Sequence, residues 1–130
     1  MTRINLEHPH NLSDQHLIAE YRELPRVFAQ AAAWVARGKP GRIPPDYRLG
    51  AGHVRFFYPR TRFLAQRQRA LIAECLARGF RVQHTTTPHP VRGASAGWSP
   101  SRRALAISRE RLAQKLSQKP GWYRRRGVAL

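Results

Sequence analysis

Acidic residues are scarce in this sequence. Seven Asp and Glu stand against 24 Lys and Arg in 130 residues, which gives a formal net charge of +17 at pH 7. An excess of one sign on this scale destabilises a compact fold through self-repulsion and suits a protein whose partner is a polyanion. Nucleic acid is therefore the first candidate partner, and an anionic membrane surface is the second.

Long apolar runs are also lacking. No segment approaches the roughly 18 consecutive apolar residues of a membrane-spanning helix. The opening MTRINLEHPH has no apolar stretch of the kind that a signal peptide carries. We therefore expect a soluble, cytoplasmic protein with no membrane partner.

Cysteine is reduced to one residue, Cys75, so an internal disulfide is excluded. Because Cys75 lies in the apolar stretch LIAECL, we expect a buried core thiol rather than a catalytic one.

Six histidines are present, but no cysteine pair or HExxH helix accompanies them. The sequence therefore predicts no metal site and no cofactor. Gly50–His53 lacks the Lys-Ser/Thr ending of a phosphate loop and predicts a tight turn with His53 hydrogen-bonded in the fold.

The chain length suits one domain, residues 1–130, with a single modest core. Apolar spacing near 100° per residue predicts helices over 14–37, 61–78 and 101–118. Glycine and proline mark the connections between them, and no strand pair is expected. The predicted fold is all-α, a compact domain of three main helices with long irregular connections.

Some details of these helices can also be predicted. Thr61 is a candidate N-cap of the second helix, and Gly79 suits the position just after its end. Pro25 lies inside the first helix, where it removes a backbone hydrogen bond and favours a bend. The side chains expected to face the core are Leu17, Tyr21, Leu24, Phe28, Ala31, Val35, Leu64, Leu71, Ile72, Cys75, Leu76, Ala104, Leu105, Leu112 and Leu116.

Glu23 stands out because it is one of few acids and has arginines on both sides. On the first helix His16, Glu20 and Glu23 share a face outside the core stripe, with Arg22 and Arg26 beside it. One interpretation is a surface ion pair worth a few tenths of a kcal/mol. The other is a carboxylate that stabilises positive charge or accepts a proton in a reaction.

The C-terminal stretch Pro120–Gly127 interleaves aromatic and basic side chains, with Trp122 and Tyr123 followed by three arginines. Aromatic rings can stack on bases while arginines hold phosphates. The alternative is that the two rings hold the tail against the core and that the arginines form a solvated end. Both interpretations remain open from the sequence.

Thr2 is a candidate nucleophile through its main-chain amine. Its small side chain suits removal of Met1, which would free an α-amino group. Such a group has a pKa of about 7.7 to 8, against about 10.4 for lysine, so a useful fraction is unprotonated near neutral pH.

Several ungapped blocks of the chain resemble one family. They are Thr2–Leu6, Asp14–Leu17, Ala19–Phe28, Leu49–Val54, Phe56–Tyr58, Leu71–Leu76, Arg78–Phe80 and Trp122–Tyr123. Together they resemble the pyrimidine-dimer DNA glycosylase/AP lyase of the phage endonuclease V type. The similarity weakens between Thr85 and Ser101, where this chain is shorter, and over the last four residues.

The resemblance implies a DNA repair enzyme whose Thr2 amine displaces the 5′ base of a cyclobutane pyrimidine dimer. An imine forms with the opened sugar, and β-elimination then nicks the strand. Glu23 would stabilise the positive charge on the sugar and take protons. The implied partner is double-stranded DNA containing dimers or abasic sites, bound by a monomer.

The resemblance also assigns DNA-binding residues and implies that a base opposite the lesion swings into a protein pocket. His16 would play a supporting role. Arg125 and Arg126 replace aromatic residues found in the family, which puts an aromatic wedge at those positions in doubt. The rival class is a non-enzymatic basic protein that binds DNA or the ribosome. The residues expected at the DNA are Arg3, His16, Arg22, Arg26, Arg111, Lys115, Trp122, Tyr123 and Arg124.

Overall fold

A computed structural model describes residues 2–130 and contains three α-helices. They are α1 (Asp14–Ala36), α2 (Thr61–Ala77) and α3 (Arg102–Gln118). The predicted all-α fold is confirmed, and each predicted helix boundary is correct to within one residue. Single 3-10 turns at Pro9–Asn11 and Arg55–Phe57 interrupt the irregular connections. Across residues 2–130, no helix combines the length and the apolar character that crossing a membrane requires.

The ends of the helices follow local capping chemistry, with one exception. Ser13 caps α1 by accepting a hydrogen bond from the His16 amide, and Gly79 follows α2 with φ of 81°. The prediction that Thr61 is an N-cap is wrong, because Arg60 holds that position. The Thr61 hydroxyl instead donates to the carbonyl oxygen of Ala94 at 2.5 Å, so it ties a distant loop to the start of α2.

Helices α1 and α2 pack against each other over one core. The predicted core thiol is confirmed, since Cys75 is fully buried and burial raises its pKa to about 11. Leu76 was placed inside by its spacing, but it is 51% exposed at the edge of the stripe. Val35 is only half-buried, and Trp34 beside it fills the core position. The fully buried side chains at the centre include Ile4, Leu17, Leu24, Val27, Phe57, Leu64 and Leu71.

A cluster of aromatic rings fixes the long connection between α1 and α2. Phe56 and Phe57 meet edge to face with ring centroids 5.1 Å apart, and Trp98 packs on Phe56 at the same distance. Tyr47 stacks on Trp98 at 6.2 Å. These contacts join segments that have no regular secondary structure, because aromatic pairs stabilise a fold beyond the area they bury.

The expectation that no strands form is wrong at the C-terminus. Strands β1 (Arg124–Arg125) and β2 (Val128–Ala129) form a small antiparallel hairpin. Arg126 and Gly127 turn it with φ values of 50° and 82°, as two-residue hairpin turns require. Strands of two residues are too short to leave an alternating pattern in the sequence.

Candidate active site

The N-terminal segment is held in place by side chains from the rest of the fold. The Ile4 amide donates to Nε2 of His53 at 2.9 Å, and the Tyr47 hydroxyl donates to the Ile4 carbonyl oxygen at 3.0 Å. Two residues on, the Leu6 amide donates to the Ser108 hydroxyl at 2.9 Å. Ile4 itself is fully buried. The backbone just after Thr2 is therefore fixed relative to both the α1–α2 connection and α3.

A buried polar network ties the same segment to α1 and α2. Asn5 donates through Nδ2 to Oε1 of Glu20 at 2.8 Å. Arg67 grips the same carboxylate with two hydrogen bonds of 2.7 and 3.0 Å, and it also donates to the carbonyl oxygen of Glu7. Glu20 is 2% exposed and Arg67 is 8% exposed. A buried ion pair of this kind is stable only because the remaining polar atoms are also satisfied.

The sequence interpretation missed this network. The spacing groups Glu20 with the polar face of α1, and no role is predicted for Arg67. A signal was present, because Arg67 and Gln68 lie three and four residues after Leu64 on the buried stripe of α2. A charged residue within a core stripe requires a buried partner.

His53 acts as a neutral acceptor for the N-terminal segment, and the prediction that it is hydrogen-bonded in the fold is confirmed. Burial lowers its pKa to about 4, and the charges of Arg3 and Arg111 add to that effect. Its Nδ1 lies 2.7 Å from the Arg48 carbonyl oxygen. The ring nitrogen facing that carbonyl carries the hydrogen, which leaves Nε2 free to accept from Ile4.

This geometry gives a pH dependence of stability. The pKa of His53 is lower in the folded protein than its ordinary value of 6.5, so the unfolded chain is protonated first as the pH falls. Stability from this group is therefore complete above pH 6.5 and is lost between pH 6.5 and about 4. We expect a loss of about 3 kcal/mol across that window, measured by urea unfolding at several pH values.

His53→Gln should remove that part of the pH dependence while other groups continue to contribute. The exposed His89 offers a matched control, since His89→Gln should leave the wild-type profile unchanged. An unaltered profile in His53→Gln would contradict the assignment.

Arg3 lies half-buried with an unused donor. Its NH1 atom is buried and has no hydrogen-bond partner within residues 2–130. Burial lowers the pKa of Arg111 and the positive charge of Arg3 lowers it further, so the two guanidinium groups share one region. Two like charges held together with a free donor favour the binding of an anion.

Glu23 lies one helical turn beyond Glu20, on the same face of α1. It is half-buried, and within the described part of the chain no cation approaches its carboxylate to 4.0 Å. The interpretation of Glu23 as a surface ion pair with Arg22 or Arg26 is therefore wrong. Both arginines are exposed.

His16 brings the start of α1, the end of α3 and the tail together. Its ring stacks on Tyr123 with centroids 4.7 Å apart and an interplanar angle of 9°. Burial lowers the pKa of His16, and the charges of Arg111 and Lys115 lower it further. Four of the predicted DNA-binding residues thus form one cluster, which we call the His16 cluster: His16, Arg111, Lys115 and Tyr123.

The two tail aromatics differ in their environment. Tyr123 packs on His16, whereas Trp122 is 52% exposed, has the Lys119 ammonium over its ring at 4.7 Å from the centroid and meets the Tyr123 ring edge to face with centroids 4.8 Å apart. The backbone on both sides of Tyr123 is bound by Gln15, which donates to the Trp122 carbonyl oxygen and accepts from the Arg124 amide. The interpretation that the rings hold the tail is therefore confirmed for Tyr123, which packs directly on α1, whereas Trp122 packs on Tyr123 and leaves half of its surface exposed.

The tail arginines are not a solvated end. Arg125 donates to the Asn11 carbonyl oxygen at 2.8 Å, and Arg126 forms a 3.2 Å ion pair with Glu74. Asp14 accepts from the amides of Arg126 and Gly127, which fixes the hairpin to the start of α1. Of the three arginines, only the Arg124 side chain stays local, bonded to Gly127 at 3.3 Å.

A cavity of about 480 Å³ opens beside the exposed Arg22. Gln68 forms part of its wall and is 2% exposed, and its Oε1 has no partner in residues 2–130. Its Nε2 donates to the Tyr21 carbonyl oxygen at 3.1 Å, which fixes the amide. The cavity wall therefore combines Gln68, whose Oε1 is an unused acceptor, with apolar side chains that include Ile18, Pro25, Phe80 and Val82.

The family model described as pyrimidine dimer DNA glycosylase matches residues 1–88. The chain belongs to this family. A pyrimidine dimer DNA glycosylase acts in DNA repair and uses damaged DNA as its substrate, so this function follows for the chain. The matched range contains the anchored N-terminal segment, all of α1 and α2, and His53.

The match ends before α3 and the C-terminal hairpin. The DNA-binding roles of Arg111, Lys115, Trp122, Tyr123 and Arg124 therefore stay predictions for this glycosylase. Their positions nevertheless favour those roles, because the His16 cluster joins α3 and the tail to α1 within the matched range.

Proposed function

We propose that the glycosylase is also an AP lyase and that both steps use the main-chain amine of Thr2, freed by removal of Met1. Met1 lies outside the described residues. The anchoring of Ile4 and Asn5 is the observation that carries the proposal. A nucleophile at a chain terminus must be held in place, since terminal residues are poorly ordered unless they are tied down.

The same anchoring supports a position of Thr2 near Glu23. Three residues of extended chain span about 10 Å, which limits how far the Thr2 amine can lie from Asn5. Asn5 is bonded to Glu20, and residues three apart on a helix have Cβ atoms about 5–6 Å apart. Glu20 is committed to Asn5 and Arg67, so Glu23 is the carboxylate that remains available.

The chemistry proceeds through an imine. The Thr2 amine attacks the anomeric carbon, the bond from that carbon to the base breaks, and the base takes up a proton while the cyclobutane ring keeps it joined to its 3′ neighbour. The sugar ring opens to the imine, loss of a proton from the neighbouring carbon expels the 3′ phosphate, and water then releases the amine. Glu23 stabilises the positive charge on the sugar and accepts protons.

The cations and the cavity take the rest of the substrate. Arg3 offers its unused NH1 donor to a phosphate beside the nucleophile. Arg22 and Arg26 extend the phosphate contacts along α1. Reaching a sugar carbon inside a duplex requires distortion or extrusion of a nucleotide, which is easiest at damaged sites. The cavity beside Arg22 is of suitable size for one extruded base, with Gln68 Oε1 as an acceptor.

Binding to undamaged duplex should depend strongly on salt, because non-specific binding is mainly counterion release. Each neutralised phosphate contributes about 0.9 to the slope of log affinity against log salt. We expect Arg111→Ala and Lys115→Ala each to lower that slope by about one, measured by fluorescence anisotropy at several salt concentrations. An unchanged slope would remove α3 from the DNA-binding face.

Trp122 should behave differently, because its half-exposed ring can stack on bases without neutralising a phosphate. Trp122→Ala should leave the salt slope nearly unchanged and weaken the preference for dimer-containing over intact duplex by about 10-fold, as loss of one stacking contact implies. Titration of both duplexes measures this preference. Equal losses on the two duplexes would indicate that Trp122 only holds the tail.

An end-labelled duplex with one cyclobutane dimer tests the proposed function. The protein should cleave the glycosidic bond of the dimer's 5′ base, a step we call base release although the cyclobutane ring keeps that base joined to its 3′ neighbour. It should nick the strand there and leave the matched undamaged duplex intact. Binding without base release would favour the rival class, a non-enzymatic basic protein. Base release without nicking would limit the enzyme to its glycosylase step.

A further inference from the structure

A groove between α2 and the loop Thr85–Pro90 lies next to the cavity beside Arg22, which we call the base cavity. Its open volume is about 520 Å³, and Thr86 lines both the groove and the base cavity. The two depressions are therefore neighbours along one surface. The family match ends within this loop, at residue 88.

The loop is fixed at both ends, so the groove has a defined wall. At its start, the Tyr21 hydroxyl both donates to the carbonyl oxygen of His84 and accepts from the His84 amide, each at 2.9 Å. Just after its end, the Val91 amide donates to the Thr61 hydroxyl at 2.8 Å. The loop is therefore attached to α1 at one end and to the start of α2 at the other, and the groove lies beneath it.

The groove is lined by two arginines and three threonines that suit an anion. Arg62 and Arg69 lie two turns apart on the exposed side of α2, and neither forms an ion pair within residues 2–130. The hydroxyls and amides of the three consecutive threonines make no hydrogen bond in the same range. No acidic side chain lines the groove. Guanidinium groups, hydroxyls and free amides are the donors that proteins use for phosphate oxygens.

We propose that this groove binds the phosphate backbone of the duplex where it leaves the base cavity. The proposal rests on the proposed function, because an extruded base in the base cavity would fix where the DNA strand enters the groove. Arg62 and Arg69 neutralise phosphates and the threonines fix the strand in register. The groove lengthens the DNA contact beyond the residues at the reacting sugar.

A double variant, Arg62→Ser/Arg69→Ser, tests the proposal. Its binding to a 25-base-pair duplex should show a salt slope lower by about two, from two lost phosphate contacts. A matched control is Arg102→Ser/Arg103→Ser, which removes the same charge from two exposed residues that do not line the groove. The control should keep the wild-type slope. Equal losses in the two variants, or no loss in the groove variant, would overturn the proposal.

Two further measurements distinguish failure of this proposal from failure of the proposed function. A scan of single neutral methylphosphonates along the undamaged strand should find one or two positions that weaken wild-type binding but no longer affect the groove variant. The absence of such positions would also overturn the proposal. The second measurement is base release by the wild-type protein: its absence, with the difference in salt slope between the two variants intact, would contradict the proposed function alone.

Discussion

Reaction with irradiated duplex in the presence of borohydride should leave a covalent protein–DNA adduct on the amine of Thr2. Borohydride reduces an imine to a stable amine, so the adduct survives on a denaturing gel, and peptide mass spectrometry locates it. Duplex with an abasic site should give the same adduct. Near neutral pH about a tenth of an α-amino group is unprotonated, against fewer than about one in a thousand lysine side chains.

The chain offers a sharp control because it has only three lysines, Lys39, Lys115 and Lys119. Replacing all three with arginine preserves the net charge and removes every competing ε-amine, and trapping should persist. Acetylation of the terminus, or Thr2→Leu, which retains Met1, should abolish trapping. Thr2→Ala should trap within a few-fold of wild type because its hydroxyl is not needed. An adduct on a lysine would disprove the mechanism.

Glu23→Gln should lower base release by at least about 10²-fold, the lower scale for the loss of a group that transfers a proton or stabilises charge. The amide keeps the size of the carboxylate but cannot stabilise positive charge on the sugar. Binding to dimer-containing duplex should stay within a few-fold, since no ion pair of Glu23 is lost in the described chain. Single-turnover base release and equilibrium titration separate the two effects.

Two further variants test whether the loss of base release is specific to the Glu23 carboxylate. Glu110→Gln removes one negative charge from an exposed position on α3, and base release should match wild type. Glu20→Gln should instead lower stability, by about 3–5 kcal/mol, because it leaves the buried Arg67 without its charged partner. Normal base release by Glu23→Gln would assign Glu23 to a surface role.

Composition and local spacing alone determined much of this protein. The excess of basic residues indicated a polyanion as partner, and apolar spacing placed three helices to within a residue at each end. These properties are readable because helix periodicity and net charge are local or additive. The resemblance of the N-terminal blocks identified the family, which the match over residues 1–88 confirms.

Tertiary structure alone decided what each polar residue does. Glu20 and Glu23 share one face of the helical wheel, yet only Glu20 is hydrogen-bonded to Asn5 and Arg67. Likewise, Trp122 and Tyr123 are adjacent, yet only Tyr123 packs on His16. Helical periodicity gives the direction of each side chain relative to the axis of its own helix. It does not give which residues of the folded protein lie in that direction. The partners come from segments as far apart as Leu6 and Ser108, 102 residues along the chain, and only folding brings such pairs together.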